Sequence, residues 1–178
     1  MEIRRILNKT ESNDLIELLE RSVRSQLTCD VSTYARGRKR TWLKMEPQLT
    51  SNAKEIINIK PVPEHHELES LIWDIFRSVN FEPSMALCIN GDVGILPHRD
   101  GSYAAALAAG INLGAVDWVY GKGWGSEIER IYLPVGAVYI FDCKRVHGAT
   151  PIDPNRWAVN GWSLAKNRTY SGLIEGKL

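Results

Sequence analysis

The sequence predicts a mainly β fold with a helical part (α+β), a jelly roll braced by N-terminal helices. Short strand-like runs crowd residues 84–165, broken by glycine, proline, Asn-Gly and Asp-Pro. Two amphipathic helical stripes precede them, and each needs a surface to pack on. A sheet is the natural partner, and layered helix-on-sheet packing follows.

Taken in order, "SNDLIELLERSV" carries Leu15, Ile16, Leu19 and Val23 at helical spacing, with Ser12, Asn13 and Asp14 as capping candidates. Strand-like runs follow at 27–35 and 55–59, separated by the basic stretch "ARGRKRTWLK". In "EHHELESLIWDIFRSVN", Leu68, Leu71, Ile72, Ile75, Phe76 and Val79 form one continuous stripe. The remaining strand candidates are 84–89, 94–98, 105–114, 116–121, 126–134, 136–142 and 156–165.

The 178 residues suit a single domain. Residues 1–83 supply helices and supporting strands, and 84–165 form the core barrel. A hydrophobic fraction of 44% and a charged fraction of 24% place the chain among ordinary globular proteins rather than disordered ones. A net charge of +1 argues neither for nor against nucleic acid. No apolar run approaches the ~20 residues that span a bilayer. The opening "MEIRRILNKTESND" lacks the apolar core of a signal peptide, so a cytoplasmic location is expected. Cys29, Cys88 and Cys143 form neither a CxxC pair nor a disulfide framework, and two of them read as buried, inert thiols.

There are four histidines. His65 and His66 are adjacent at a helix start and point in different directions, so they read as exposed polar residues. His98 and His147 each end an apolar strand-like run. Alternation puts His98 and Asp100 on one face and turns Arg99 away. His147 is the remaining strand-associated histidine that can complete a triangle with them. Two neutral imidazoles and a carboxylate on one octahedral face suit Fe(II) and leave the opposite positions open. An HxD triplet alone is common by chance, and a buried His–Asp pair is also an ordinary structural pair.

Context raises the signal. In "GAVYIFDCKRVHGATPIDPNRWAVNGWSLA", His147 follows Asp142 by five residues and precedes Arg156 by nine. With "NGDVGILPHRD" and "AAGINLGAVDWVYG" ahead of it, the stretch 84–165 resembles the Fe(II)/2-oxoglutarate-dependent oxygenases, whose pattern is HxD, a distal His, then a basic residue about ten positions on. The resemblance implies a double-stranded β-helix of the cupin-like kind. It implies His98, Asp100 and His147 as iron ligands, with Arg156 holding the distal carboxylate of 2-oxoglutarate. It also implies use of O2 with release of succinate and CO2. A guanidinium suits that carboxylate, because it binds bidentately and keeps its charge when desolvated. A solvated rim arginine is the bland alternative.

Asn90, Asn112, Tyr139, Thr150 and Ser163 are polar members of apolar strands. Asn112 and Tyr139 are the preferred co-substrate partners, with local strand hydrogen bonds as the alternative. Asp100, in place of a smaller residue, argues for hydroxylation over halogenation. The repair demethylases of this superfamily carry a second arginine six residues after the first, and this chain has Trp162 there. A nucleic-acid substrate is therefore disfavoured.

Trp118 and Trp124 flank "YGKGWG" and are expected at the barrel mouth. Arg38 and Arg40 could grip an acidic substrate, with a solvated basic loop as the alternative. The expected substrate is a free or peptidyl amino acid, in the manner of prolyl and aspartyl/asparaginyl hydroxylases. A cupin-like Zn(II) or Mn(II) hydrolase or isomerase, or a non-catalytic binding module on the same barrel, are the competing readings. Residues 27–60 are either an ordered lid or a mobile loop.

Overall fold

The structure is a computed structural model, described for residues 1–30, 32–49, 56–101, 104–121 and 127–165. It opens with β1 (Glu2–Ile6), α1 (Lys9–Val23), a single 3₁₀ turn and β2 (Thr28–Cys29). Then come β3 (Lys39–Leu43), β4 (Met45–Leu49), β5 (Ile56–Pro61) and α2 (His66–Arg77). The second half is all strand: β6 (Met85–Asn90), β7 (Ile95–His98), β8 (Ala104–Leu113), β9 (Val116–Gly121), β10 (Ile128–Leu133), β11 (Ala137–Asp142), β12 (His147–Pro151) and β13 (Trp157–Leu164).

A seven-stranded sheet in the order β1-β11-β8-β13-β6-β3-β2 faces a four-stranded sheet ordered β10-β9-β12-β7. Their pairings are antiparallel, which is the jelly roll the strand spacing predicts. β6 explains the logic of the large sheet. All six of its residues are buried, because Ala86 and Cys88 face the helices while Met85, Leu87 and Ile89 face the other sheet. The outer cluster joins Leu15, Leu19, Leu68, Ile72 and Phe76 to the sheet. The inner one gathers Trp118, Tyr139, Phe141 and Trp162 between the sheets.

Four elements depart from the sequence reading. Helix α1 begins a turn before the expected Ser12, Asn13 and Asp14. Asn8 Oδ1 accepts from the Glu11 N–H at 3.0 Å while Glu11 accepts from the Asn8 N–H at 2.8 Å, a closed capping box. The run 27–35 shortens to β2, and the basic stretch forms β3 and ends at Lys44, just before β4. β2 and β3 thereby extend the large sheet as a wall. His147 opens a strand of its own, β12, where a turn was expected soon after it. β1 pairs with β11 at the sheet edge, with no signal beyond a short alternation.

Candidate metal centre and its cavity

β7 and β12 are neighbours, and His147 lies directly opposite His98. Cross-strand partners project to the same face, so the imidazole centroids are 4.4 Å apart. Asp100, two residues beyond His98, returns to that face. Its backbone N–H donates to Cys143 O at 2.9 Å, which ties the HxD segment to the turn before His147.

The donor atoms converge. Asp100 Oδ1 lies 3.3 Å from His98 Nε2 and 3.6 Å from His147 Nε2. One donor from each of the three residues falls within 4.8 Å of the others, the only such cluster among the described residues. Each side chain is aimed from behind. His98 Nδ1 sits 2.9 Å from Leu96 O and His147 Nδ1 3.0 Å from Arg145 O. A carbonyl can only accept, so both rings carry their proton on Nδ1 and turn a lone pair on Nε2 inward. Trp162 Nε1 donates to Asp100 Oδ2 at 2.8 Å, which leaves Oδ1 to face the imidazoles.

The electrostatics agree. Burial pushes the His147 imidazole below its usual value, against the pull of Asp100, and keeps the ring neutral. Burial would raise the Asp100 carboxyl, but the facing imidazoles of His98 and His147 and the Trp162 indole N–H outweigh it and hold it low. A neutral imidazole at His147 and an ionised carboxylate at Asp100 are the states in which these two groups ligate a metal. Two imidazoles and one carboxylate with open space beside them fit Fe(II) as a donor set. Zinc sites with three protein ligands also occur, so the donor set alone does not name the ion.

The centre lies in a cavity of about 630 Å³ between the sheets. Arg156 lines it and is 5% exposed. The Arg156 Nε–H donates to Asn112 Oδ1 at 2.9 Å, and the Asn112 amide in turn donates to Leu133 O and Pro134 O. Gly114 clears its stem: a Cβ there would lie 2.8 Å from Arg156 Cβ and Cγ. No carboxylate among the described residues pairs with Arg156. Asn112 thus acts on the cavity through Arg156 rather than by lining it. Tyr139 is fully buried between the sheets, against Trp118 and Phe141, with its hydroxyl 3.4 Å from Oδ1 of cavity-lining Asn160. Burial pushes its phenol up to about 12.

Trp118 lines the cavity from its interior, stacked on His147 at 5.7 Å and 17°. Trp124 lies outside the described residues. Arg38 and Arg40 both line the cavity. Arg38 Nη2 donates to Asp30 Oδ2 at 2.9 Å, and Arg40 Nε lies 3.2 Å from the same oxygen. Arg99 is exposed at the cavity edge. His65 caps α2 and His66 pairs with Glu64 in solvent, both far from the centre as expected.

Sequence reasoning missed Asp30, Asn160 and the Trp162 hydrogen bond. Asp30 had a readable signal, a carboxylate facing two inward arginines across a short hairpin. The indole bond joins residues 62 apart and had none.

No family model matches the sequence, and no curated protein matches it. Solved structures do. OsALKBH1 superposes with a TM-score of 0.62 at 12% identity, covering 89% of this chain and 93% of that one. A prolyl-4-hydroxylase from Pseudomonas putida gives 0.60 at 13% identity, with 90% and 89% covered. SnoK, the non-heme α-ketoglutarate-dependent carbocyclase of nogalamycin biosynthesis, gives 0.61 at 15% identity, with 91% and 78% covered. The chain has the fold of the 2-oxoglutarate–Fe(II) oxygenases.

Proposed function

We propose that this protein is an Fe(II)- and 2-oxoglutarate-dependent oxygenase acting on a small-molecule or peptidyl amino-acid substrate, with release of succinate and CO2. One observation carries the reading: three donor atoms, each oriented by its own hydrogen bond, face a cavity that also holds a buried arginine with no carboxylate partner among the described residues. Bound Fe(II) would supply the activation of O2 and the oxidation of a substrate C–H bond.

The chain's residues do the rest. His98, Asp100 and His147 would hold the metal. Arg156, fixed by Asn112, binds the distal carboxylate of the co-substrate. Trp118, Phe141 and Leu87 give the cavity an apolar wall that excludes water. Hydroxylation is favoured because Asp100 fills the coordination position that a halide would need.

The test is anaerobic titration with Fe(II) and 2-oxoglutarate, watching for the weak visible charge-transfer band, followed by assay of succinate on admitting O2. Wild type gives both signals. His98→Ala and His147→Ala lose both, and His65→Ala keeps both. Absence of the band and of succinate in wild type sinks the proposal. Turnover that needs Zn(II) or Mn(II) and no 2-oxoglutarate would favour the hydrolase or isomerase reading instead.

A further inference from the structure

Building on the oxygenase reading, we propose that Arg38 forms a second anion subsite in the same cavity, and that the primary substrate is a monocarboxylate with an apolar body.

The sheet register sets the geometry. Lys39 opposes Asn90, and Asn90 opposes Trp157. Arg38 and Arg156 immediately precede Lys39 and Trp157 on strands that run the same way. They therefore stand at one level of the sheet, two strands or about 10 Å apart. Alternation turns both inward, with Arg40 and Trp42 following Arg38 and Asn160 and Trp162 following Arg156. The residue between them at the end of β6 is Gly91, which has no side chain to fill the gap.

The two guanidiniums are anchored on opposite flanks. Asp30 draws Arg38 towards β2, and Asn112 draws Arg156 towards β8. The cavity between them has two cationic poles. In the oxygenase reading 2-oxoglutarate uses one carboxylate at the metal and the other at Arg156, so the Arg38 pole is left for another ligand.

Arg38 is built to take one. It is 8% exposed, yet its Nε makes no hydrogen bond. Only one other buried side-chain nitrogen or oxygen among the described residues lacks a partner, Trp118 Nε1, and it too belongs to the cavity wall. Both are donors, so the missing partners are acceptors. Charge sets the class of acceptor. Arg38 and Arg40 share the single carboxylate of Asp30, with Glu46 farther out at 3.8 Å from Arg40. With the half-exposed Glu46 left out the excess is one positive charge, and with it none, so the Arg38 pole matches a monoanionic carboxylate better than a phosphate dianion. The surface between the poles is Leu87, Ile89 and Trp42, which suits an apolar body.

The probes are hexanoate and 3-phenylpropanoate, compared with 1-hexanol, 3-phenyl-1-propanol and hexyl phosphate. Binding to the metal-free protein is read by the fluorescence of the cavity tryptophans. The carboxylates are expected to bind about tenfold or more tighter than the alcohols and the phosphate. Arg38→Met should weaken them about tenfold to a hundredfold, and Arg156→Met should spare them. Arg38→Lys, with circular dichroism as a check on folding, should retain part of the affinity. Arg38→Met should still bind 2-oxoglutarate with Mn(II) as wild type does.

Four results overturn the proposal: alcohols binding as well as carboxylates, the phosphate binding more tightly, probe binding that depends on Arg156 instead, or 2-oxoglutarate binding that fails in Arg38→Met. If wild type prefers the carboxylates through Arg38 but binds no Mn(II) and 2-oxoglutarate, the subsite stands and the oxygenase reading falls.

Discussion

The indole of Trp162 donates to the carboxylate of Asp100 across 62 positions of sequence, at 2.8 Å. The bond occupies Oδ2 and leaves Oδ1 to the two imidazoles. Trp162→Phe keeps the ring in the inner core and removes only the donor. Its affinity for Fe(II) or Mn(II) should fall about tenfold to a hundredfold, while its melting temperature moves little. Metal titration followed by tryptophan fluorescence measures the first, and a thermal melt the second. An unchanged metal constant would show that the indole does not set the carboxylate.

Asn112 makes the corresponding test for Arg156. Asn112→Ala frees the guanidinium stem and strips the donor from Leu133 O and Pro134 O. The expected outcome is weaker 2-oxoglutarate binding with metal binding intact, and a stability loss of about 1–3 kcal/mol from the unsatisfied carbonyls. Isothermal titration with Mn(II) present separates the two constants.

The Asp30–Arg38 pair should appear in the pH dependence of stability. Burial pushes the Asp30 carboxyl up, but the Ser32 amide and the Arg38 guanidinium, with Arg40 beyond, outweigh it and hold it below the usual value. A folded-state pKa below the unfolded one means that the stabilisation is present above about pH 4 and is lost as pH falls below it. Asp30→Asn should therefore cost about 3–5 kcal/mol near neutrality, because Arg38 loses its buried counter-charge. The gap to wild type should narrow as the wild-type carboxyl protonates. Urea unfolding at a series of pH values measures both.

Phe76 tests the brace rather than the site. Its ring lies where α2 crosses β13, so close that a Cβ on Gly161 would come within 3.1 Å of it. Phe76→Ala should destabilise the fold by about 3–5 kcal/mol. A folded sample should keep the wild-type metal constant, because the helix packs on the face of the sheet opposite the cavity.

Much of this was legible in the sequence, for physical reasons. Strand β6 and the second half of β8 have apolar runs because both their faces are covered. Helix α2 shows its stripe because one face packs and the other is wet. His98 and Asp100 follow from a period of two. The wall β3 was opaque for the opposite reason. Its inward residues Arg40 and Trp42, with Arg38 just ahead of it, line the cavity, so the alternation that marks a strand is written partly in charge and reads as a solvated loop. Helix α1 shows a subtler loss, since its stripe starts at Leu15 while its capping box starts at Asn8. The Trp162 bond depends on the register of β13 against the segment after β7, which no local pattern encodes.

The edge position of β7 has one more consequence. Among the described residues this four-residue strand has a single sheet neighbour, β12, and on its open side one backbone bond, from the Leu96 N–H to Tyr34 O at 2.8 Å. Two of the three converging donors hang from its end, and the third belongs to β12. An ion gripping all three would rivet the shortest strand of the small sheet to its neighbour. Metal loading should then slow amide hydrogen exchange in residues 95–100 far more than in β8 or β13, so that the ion serves as a fastener of the barrel as well as its reactive centre.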